Sequence, residues 1–291
     1  MKDYEPPDKR VARRSFERAA AHYDAAALLH LEIGKRLLEH LDPMRLDPAR
    51  ILDLGCGTGA FFDSLGKRFP RAELVGLDLA HAMLARARRR TAWWRRAVRA
   101  RSPRLVCGDA ERLPLATGSV DLVFSNLALQ WCRAEPVFAE AARALSTGGL
   151  LLFASFGPDT LKELRAAFTA ADAARHVHTF VDMHDLGDAL VHAGFADPVM
   201  EMEVLTVEYS TVDALARDLK ASGGRNALAA RSRGLVGPRA WKRMVERYEA
   251  LRRDGTLPAT YEVIYGHAWR AAPKRAADGR QVIDFHPRGG A

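Results

Sequence analysis

The chain has 291 residues, 48% of them hydrophobic and 27% charged, the proportions of a globular protein able to bury a sizeable core. Its formal net charge is +8, yet residues 86–104 carry nine arginines and no acid, so the remainder stands at −1 and the basicity belongs to one patch. Cys56, Cys107 and Cys132 form no CxxC pair, the first twenty residues hold no apolar signal run, and GLLLFASF is too short to span a bilayer; a disulfide framework and a membrane span are excluded, and a cytoplasmic protein is expected.

Residues 15–41 predict one amphipathic helix, with Ser15 as its cap and Phe16, Ala19, Ala20 and Tyr23 at helical spacing. Strands are predicted at 50–55, 72–78, 104–109, 120–126 and 149–156, and helices at 60–69, 81–100 and 135–146. Near-continuous apolar strands separated by helices imply a parallel sheet covered on both faces. Beyond Phe156 the rhythm changes. A helical stretch is expected over 159–176, a helix over 182–195 closed by Gly194, and an alternating strand over 198–209. An arginine-studded helical region at 212–253, a strand at 260–270 and a disordered tail at 271–291 complete the chain.

The stretch DLGCGTGAF sets Gly55, Gly57 and Gly59 between a strand and a helix, where glycines let a ligand approach the backbone near a helix N-terminus. Gly55, Gly57 and Ala60 also satisfy the dinucleotide fingerprint in its G/A form. Asp53 argues against that ligand: its carboxylate would repel a pyrophosphate but could face an ammonium group. Asp78 ends the second strand and fits ribose hydroxyls, Asp109 ends the third and could accept from an adenine amino group, and Asn126 ends the fourth, facing the same crevice.

In order and spacing this set resembles the class I S-adenosylmethionine-dependent methyltransferases over residues 50–156. The resemblance implies a doubly wound, Rossmann-like α/β fold: a mostly parallel seven-stranded sheet with an antiparallel last strand and a helical lid. It implies S-adenosyl-L-methionine as cofactor, with Gly55, Gly57 and Gly59 at the methionine end, Asp78 at the ribose, and Asp53 and Leu79 among the cofactor-binding residues. Met83 would pack near the adenine, or serve only as core, and Asp109 with Ala110 would read the adenine edge, beside Asn126. The expected units are an N-terminal helical cover at 1–45, the core at 46–210, a lid insertion at 211–259, the last core strand at 260–270 and the tail.

No base for methyl transfer stands out, and no NPPY follows the fourth strand. A carboxylate acceptor would need none, only desolvation and orientation. The longer stretches FERAAAHYDAAALLH, NLALQWC, SFGPDTLKEL, HTFVDMHDLGDALVHAGF and TYEVIYGHAWR resemble the malonyl-acyl-carrier-protein O-methyltransferases of biotin synthesis over most of 12–270. This implies methylation of the free carboxyl of a malonyl thioester on acyl carrier protein, or on coenzyme A. Tyr23 would be the catalytic residue, or pack the first helix; Gln130, Trp131 and Arg225 would bind substrate, with core packing for Trp131 and a solvated surface for Arg225 as the other readings. A related family, the arginine hydroxylases of complex I assembly, shares several stretches but carries Asn-Asp where this chain has Gln130-Trp131. A third reading, an RNA-binding protein of the same fold, would use the arginine run with Trp93 and Trp94. Topology instead puts the arginine-rich end of that helix at the rim far from the chemistry, as a solvated face. An acidic carrier is expected to dock on the insertion, where Arg217, Lys220, Arg225, Arg231, Arg233, Arg239, Lys242 and Arg243 outnumber two aspartates. His176, His178 and His184 make too spare a set for a metal site, and none is expected.

Overall fold

The computed structural model describes residues 6–97, 102–171, 175–224 and 237–272, of which 92–97 as backbone alone. Along the chain run α1 (Lys9–Ala19), α2 (Tyr23–Ala26), α3 (Leu28–Glu39), β1 (Arg50–Leu54), α4 (Phe62–Arg68), β2 (Glu73–Asp78), α5 (His81–Ala97), β3 (Arg104–Cys107) and β4 (Val120–Asn126). Then come α6 (Ala134–Ala144), β5 (Leu145–Phe156), α7 (Lys162–Thr169), α8 (Met183–His192), β6 (Phe195–Tyr209), α9 (Val212–Ala221), α10 (Pro238–Glu249) and β7 (Leu257–Arg270). A single turn of 3-10 helix, Leu129–Trp131, follows β4.

The seven strands form one sheet in the order β3-β2-β1-β4-β5-β7-β6. β1 pairs in parallel with β2 and β4, and β4 with β5, whereas β7 runs antiparallel to both β5 and β6. The last strand in the chain is thus the one opposed strand, inserted between β5 and β6. Alternation along each strand divides the core in two. Ile51, Leu122 and Phe124 face the layer built with α3, α4 and α7, and Leu52, Leu54 and Val123 face the layer built with α6 and α8. Because β1 is flanked by β2 on one side and β4 on the other, the strand order reverses beside it. Open α/β sheets bind ligands at the carboxyl ends of the strands at such a point.

The N-terminal segment is three helices, not the one expected at 15–41. Asp8 caps α1, accepting from the Arg10 and Val11 N–H groups, and Ser15 lies mid-helix with its hydroxyl donating to the Gly223 carbonyl at 3.0 Å. The Ala20 and Ala21 carbonyls accept from the Arg86 guanidinium of α5 in place of continuing the helix, so the chain turns at Ala20–His22. The helix expected at 159–176 is confined to α7. It follows Leu161, which adopts a left-handed φ of 55° and donates its N–H to the Thr260 carbonyl at 2.6 Å. β7 begins at Leu257, three residues earlier than expected, where its antiparallel pairing with β6 extends to the Tyr209–Leu257 pair.

Helix α3 leans on the segment after β1 through Gly34, where an added Cβ would fall 2.0 Å from Phe61 Cζ. The Phe61 ring is itself packed at 5.5 Å on Phe124 and cannot retreat into the sheet. Helix propensity favours alanine there by about 1 kcal/mol, but overpacking outweighs it. Gly34→Ala is expected to destabilise the protein by a net of up to about 2 kcal/mol, read as a lower urea midpoint at unchanged slope; an unchanged or raised midpoint would show that Phe61 gives way.

Candidate active site

The turn after β1 is shaped by left-handed backbone at Gly55 (φ 77°), Gly57 (φ 53°) and Gly59 (φ 73°). The Gly55 and Cys56 N–H groups donate to the Leu77 carbonyl at 2.8 and 3.0 Å, which ties the turn to β2. Gly57 N–H donates to one Asp78 carboxylate oxygen at 2.9 Å and Ala80 N–H to the other at 2.8 Å. The three glycines serve different ends. A Cβ on Gly57 would meet nothing within 4 Å, because it would project into an open cleft, and one on Gly55 would sit 2.3 Å from Ala128 Cβ. At Gly59 the missing Cβ makes room behind the turn, where it would overlap the Phe62 ring at 2.5 Å and press on Ala87.

Two connected spaces open beside this turn. The larger, about 740 Å³, is walled by Asp78, Leu79, Met83, Asp109, Ala110 and Trp131. The smaller, about 440 Å³, surrounds Asp53 and Thr58, and both share Tyr23, Gly55, Gly57 and Asn126. Met83 is 1% exposed and packs with Ala20 and Ala80, so it is core and cleft wall at once. Asp53 is 3% exposed and its Oδ2 has no hydrogen-bond partner. Burial, helped by the nearby Asp78 charge, pushes its carboxyl up to about 8. Asp78 is also pushed up, to about 6, by burial that outweighs its two backbone donors. Asn126 donates to the His30 carbonyl at 2.9 Å and leaves Oδ1 buried without a partner. An orphaned carboxylate and an orphaned amide oxygen around an open glycine turn suit an amino-acid ammonium group, so the residues present fit the methionine end of S-adenosylmethionine.

The N-terminal helices are fastened across this cleft. Lys9 of α1 reaches both Asp109 oxygens at 2.7 Å and Glu111 at 2.9 Å, so the carboxylate expected to read an adenine edge is shared with a cation from above. Its remaining lone pairs can still accept from the cleft. The Glu17 carboxylate accepts from the His81 and Ala82 N–H groups at the start of α5. Asp24 of α2 receives Thr58 Oγ1 at 2.5 Å and Arg90 at 2.6 Å. Arg86 and Arg90 therefore tie α5 to the N-terminal helices, while Arg88, Arg89 and Arg90 remain exposed, as expected of a solvated face. The side chains of Trp93, Trp94, Arg95 and Arg96 lie outside the described residues.

Seven rings in a circuit of contacts line this cleft and a further chamber of about 790 Å³ beside it. Phe16 meets Trp131 at 5.1 Å, Trp131 meets His178 at 5.0 Å, and His178 meets Phe180 at 6.2 Å. Phe180 meets Phe156 at 5.9 Å, Phe156 meets His30 at 6.2 Å, His30 meets Tyr23 at 6.0 Å, and Tyr23 returns to Phe16 at 6.4 Å. Most are edge contacts, the arrangement the ring quadrupoles favour. Trp131 walls both the donor cleft and the chamber, and His30 walls both the chamber and the Asp53 space. Burial pushes the Tyr23 phenol well above its ordinary range, with the Asp78 and Asp24 charges adding to it, and holds His30 down to about 4. At neutral pH both are uncharged. No lysine or arginine stands among the described residues of the chamber wall.

Gln130 lies in that wall, 7% exposed; its amide donates to the Leu127 carbonyl at 2.7 Å and its Oε1 is buried without a partner. Leu127 adopts a left-handed φ of 53°, the bend that turns Gln130 and Trp131 into the crevice. His176 and His178 belong to the chamber, whereas His184 pairs with Asp182 at the start of α8. Arg225, Arg231 and Arg233 lie outside the described residues. His30, Lys9, Phe16 and Phe156 are site residues that reading by strand ends misses. One signal was available: Phe16, Tyr23 and His30 recur every seven residues.

The family model of a methyltransferase domain matches residues 52–153. A malonyl-[acyl-carrier protein] O-methyltransferase of Laribacter hongkongensis is 54% identical over 286 residues, covering 96% of this chain and 96% of its own length. One from Gallionella capsiferriformans is 50% identical, covering 95% and 96%. The chain belongs to the malonyl-[acyl-carrier protein] O-methyltransferase family. It is a methyltransferase dependent on S-adenosylmethionine. Solved structures share the fold at low identity: a Bacillus halodurans methyltransferase superposes with a TM-score of 0.58 at 18% identity, over 82% of this chain and 99% of that one. A geranyl diphosphate C-methyltransferase from Streptomyces coelicolor, in complex with S-adenosyl-L-homocysteine, superposes with a TM-score of 0.50 at 18% identity, over 82% and 78%. Among the described residues no helix is long and apolar enough to cross a membrane.

Asp53 gives this family member a pH signature. Its raised carboxyl holds a proton below about 8 in the free protein, and pairing with an ammonium requires the ionised form. Affinity for S-adenosylmethionine is expected to climb from pH 6 to about pH 8 and level off, with protons released on binding near neutrality; calorimetry in buffers of different ionisation enthalpy reads both. Asp53→Asn should weaken binding by roughly 10–100-fold and flatten the profile. Between the ordinary aspartate value and about 8, only the unfolded chain gives up this proton freely, so the ligand-free fold loses stability as pH rises. The melting temperature of the Asp53→Asn variant relative to the parent should therefore increase from about pH 5 to pH 8.

Proposed function

We propose that the chain transfers a methyl group from S-adenosylmethionine to the free carboxyl of a malonyl thioester on acyl carrier protein, forming the ester that enters biotin (pimeloyl) synthesis. The observation that carries this reading is the run of aromatic rings around Tyr23 where the donor cleft meets the chamber beside it. A carboxylate stripped of water there is a stronger nucleophile, and uncharged donors hold it without quenching it. When bound, the donor supplies a methyl on a positively charged sulfur, which a carboxylate oxygen takes up without any proton transfer.

Tyr23 is the proposed catalytic residue. Its phenol stays protonated, so it acts as a hydrogen-bond donor that orients the acceptor rather than as a base. His30, neutral and with Nδ1 unpartnered, stands beside it at the same junction. The aromatic faces exclude water and favour a sulfonium cation. Asp78 with Leu79 serves the ribose, and Asp109 with Ala110 the adenine edge. Trp131 and Gln130 bind the substrate side. Residues 1–45 and 211–259 are the proposed covers of the core at 46–210, and α1 and α2 support the first through their contacts with Asp109, Thr58 and α5.

Purified protein with labelled S-adenosylmethionine should label malonyl-carrier protein and leave acetyl-carrier protein and total RNA unlabelled; label on RNA, or equal label on the acetyl form, would sink the reading. Tyr23→Phe should lower kcat/KM for malonyl-carrier protein by about 10²-fold while the donor Kd stays as in the parent. A change confined to donor binding would instead make Tyr23 a wall of the cofactor cleft.

A further inference from the structure

The acceptor chamber does not end at the ring circuit. Leu164, His176, Leu219 and Gly224 belong both to it and to a more open groove of about 1120 Å³ between α7, α9 and α10. The groove is apolar along its length, with Phe168, Val212, Leu215, Ala216 and Trp241 in its walls. Its one lysine or arginine among the described residues is Lys220, exposed in the last turn of α9. α10 alongside presents Arg239, Lys242, Arg243 and Arg247 against Glu246 and Glu249. The chamber and the groove thus meet at Leu164, His176, Leu219 and Gly224, and the groove carries one exposed cation at its edge.

Gln130 Oε1 gives the route a polar requirement. It is buried in the chamber wall with no partner, and it can only accept. A malonyl carboxylate has no proton to offer it. A chain bearing amide N–H groups does, and an unmet buried acceptor costs stability that such a ligand would recover. One occupant has all the matching features: the arm that joins an acyl thioester to its carrier, which is slender, partly apolar, carries amides near the sulfur and ends in a phosphodiester.

We infer that the groove between α7, α9 and α10 holds this phosphorylated amide arm, with an amide N–H on Gln130 Oε1 and the phosphate at Lys220, so that the thioester is delivered past Leu164 and Leu219 to the rings around Tyr23. The inference rests on the malonyl-thioester reading above and adds the path by which that substrate enters. It puts the carrier body on the α9–α10 surface, away from the arginine run of α5.

Three acceptors test it: malonyl-carrier protein, malonyl-coenzyme A, and the malonyl thioester of N-acetylcysteamine, which keeps the thioester and the first amide but lacks the outer arm and the phosphate. Ala216→Trp, which fills the groove, should lower kcat/KM for the first two by about 10-fold or more and leave the short thioester and the donor Kd as in the parent. Lys220→Glu, at an exposed position that does not threaten folding, should raise KM for the two phosphorylated acceptors only. Unaltered carrier kinetics in Lys220→Glu, or equal losses on the short thioester in either variant, would overturn the route. A larger loss with malonyl-carrier protein than with malonyl-coenzyme A supports the carrier body on α9–α10. Failure of the parent protein to label any malonyl thioester would overturn the acceptor reading itself, and the route with it.

Discussion

The ring circuit around Tyr23 is the constraint on which the rest of the site depends. Its members come from α1, α2, α3, the turn after β4, the end of β5 and the segment before α8, and no two adjacent elements in the chain could make it alone. Each contact is worth only about a kilocalorie per mole. The same rings set the protonation of the polar groups among them: burial keeps the Tyr23 phenol and the His30 imidazole uncharged.

A second constraint opposes the first. Asp53 stands at the carboxyl end of β1, buried with one oxygen unpartnered, and the half-buried Asp78 stands nearby, so in the ligand-free fold ionisation of Asp53 is costly. A cationic ligand relieves that cost; a phosphate-bearing dinucleotide would add to it. The distinction between the two cofactor classes thus lies in the charge beside the glycine turn rather than in the glycine spacing. The cover is linked to the same groups, since Lys9 holds Asp109 and Asp24 holds Thr58.

The basic segment of α5 shows what composition leaves open when position is unknown. Nine arginines without an acid suggest a polyanion partner or a hydrated surface. Arg86 also takes up the carbonyls of Ala20 and Ala21, and Arg90 pairs with Asp24, so two members of the run end one helix and anchor the next. Their partners are more than sixty residues away in the chain, and neither is marked by any local pattern.

Strand ends made the edge of the cleft legible: Asp53, Asp78, Asp109 and Asn126 each close an apolar run, and a doubly wound sheet brings such positions to one edge. The glycine turn was legible for the same reason, although spacing alone could not tell that Gly59 packs on Phe62 while Gly57 opens on the cleft. The acceptor side was not readable in this way. His30, Phe16 and Phe156 act through contacts made across the fold, and the seven-residue recurrence of Phe16, Tyr23 and His30 in the N-terminal helices has meaning only once Trp131 and His178 complete the circle. The sequence by itself determined the sheet, its ligand edge and the chemical class of the donor, because period, glycine conformation and charge are local properties of the chain. Tertiary structure alone decided where the first helix breaks, which glycine faces the cleft and how the acceptor chamber is closed, because these depend on steric and electrostatic contacts between segments far apart in sequence.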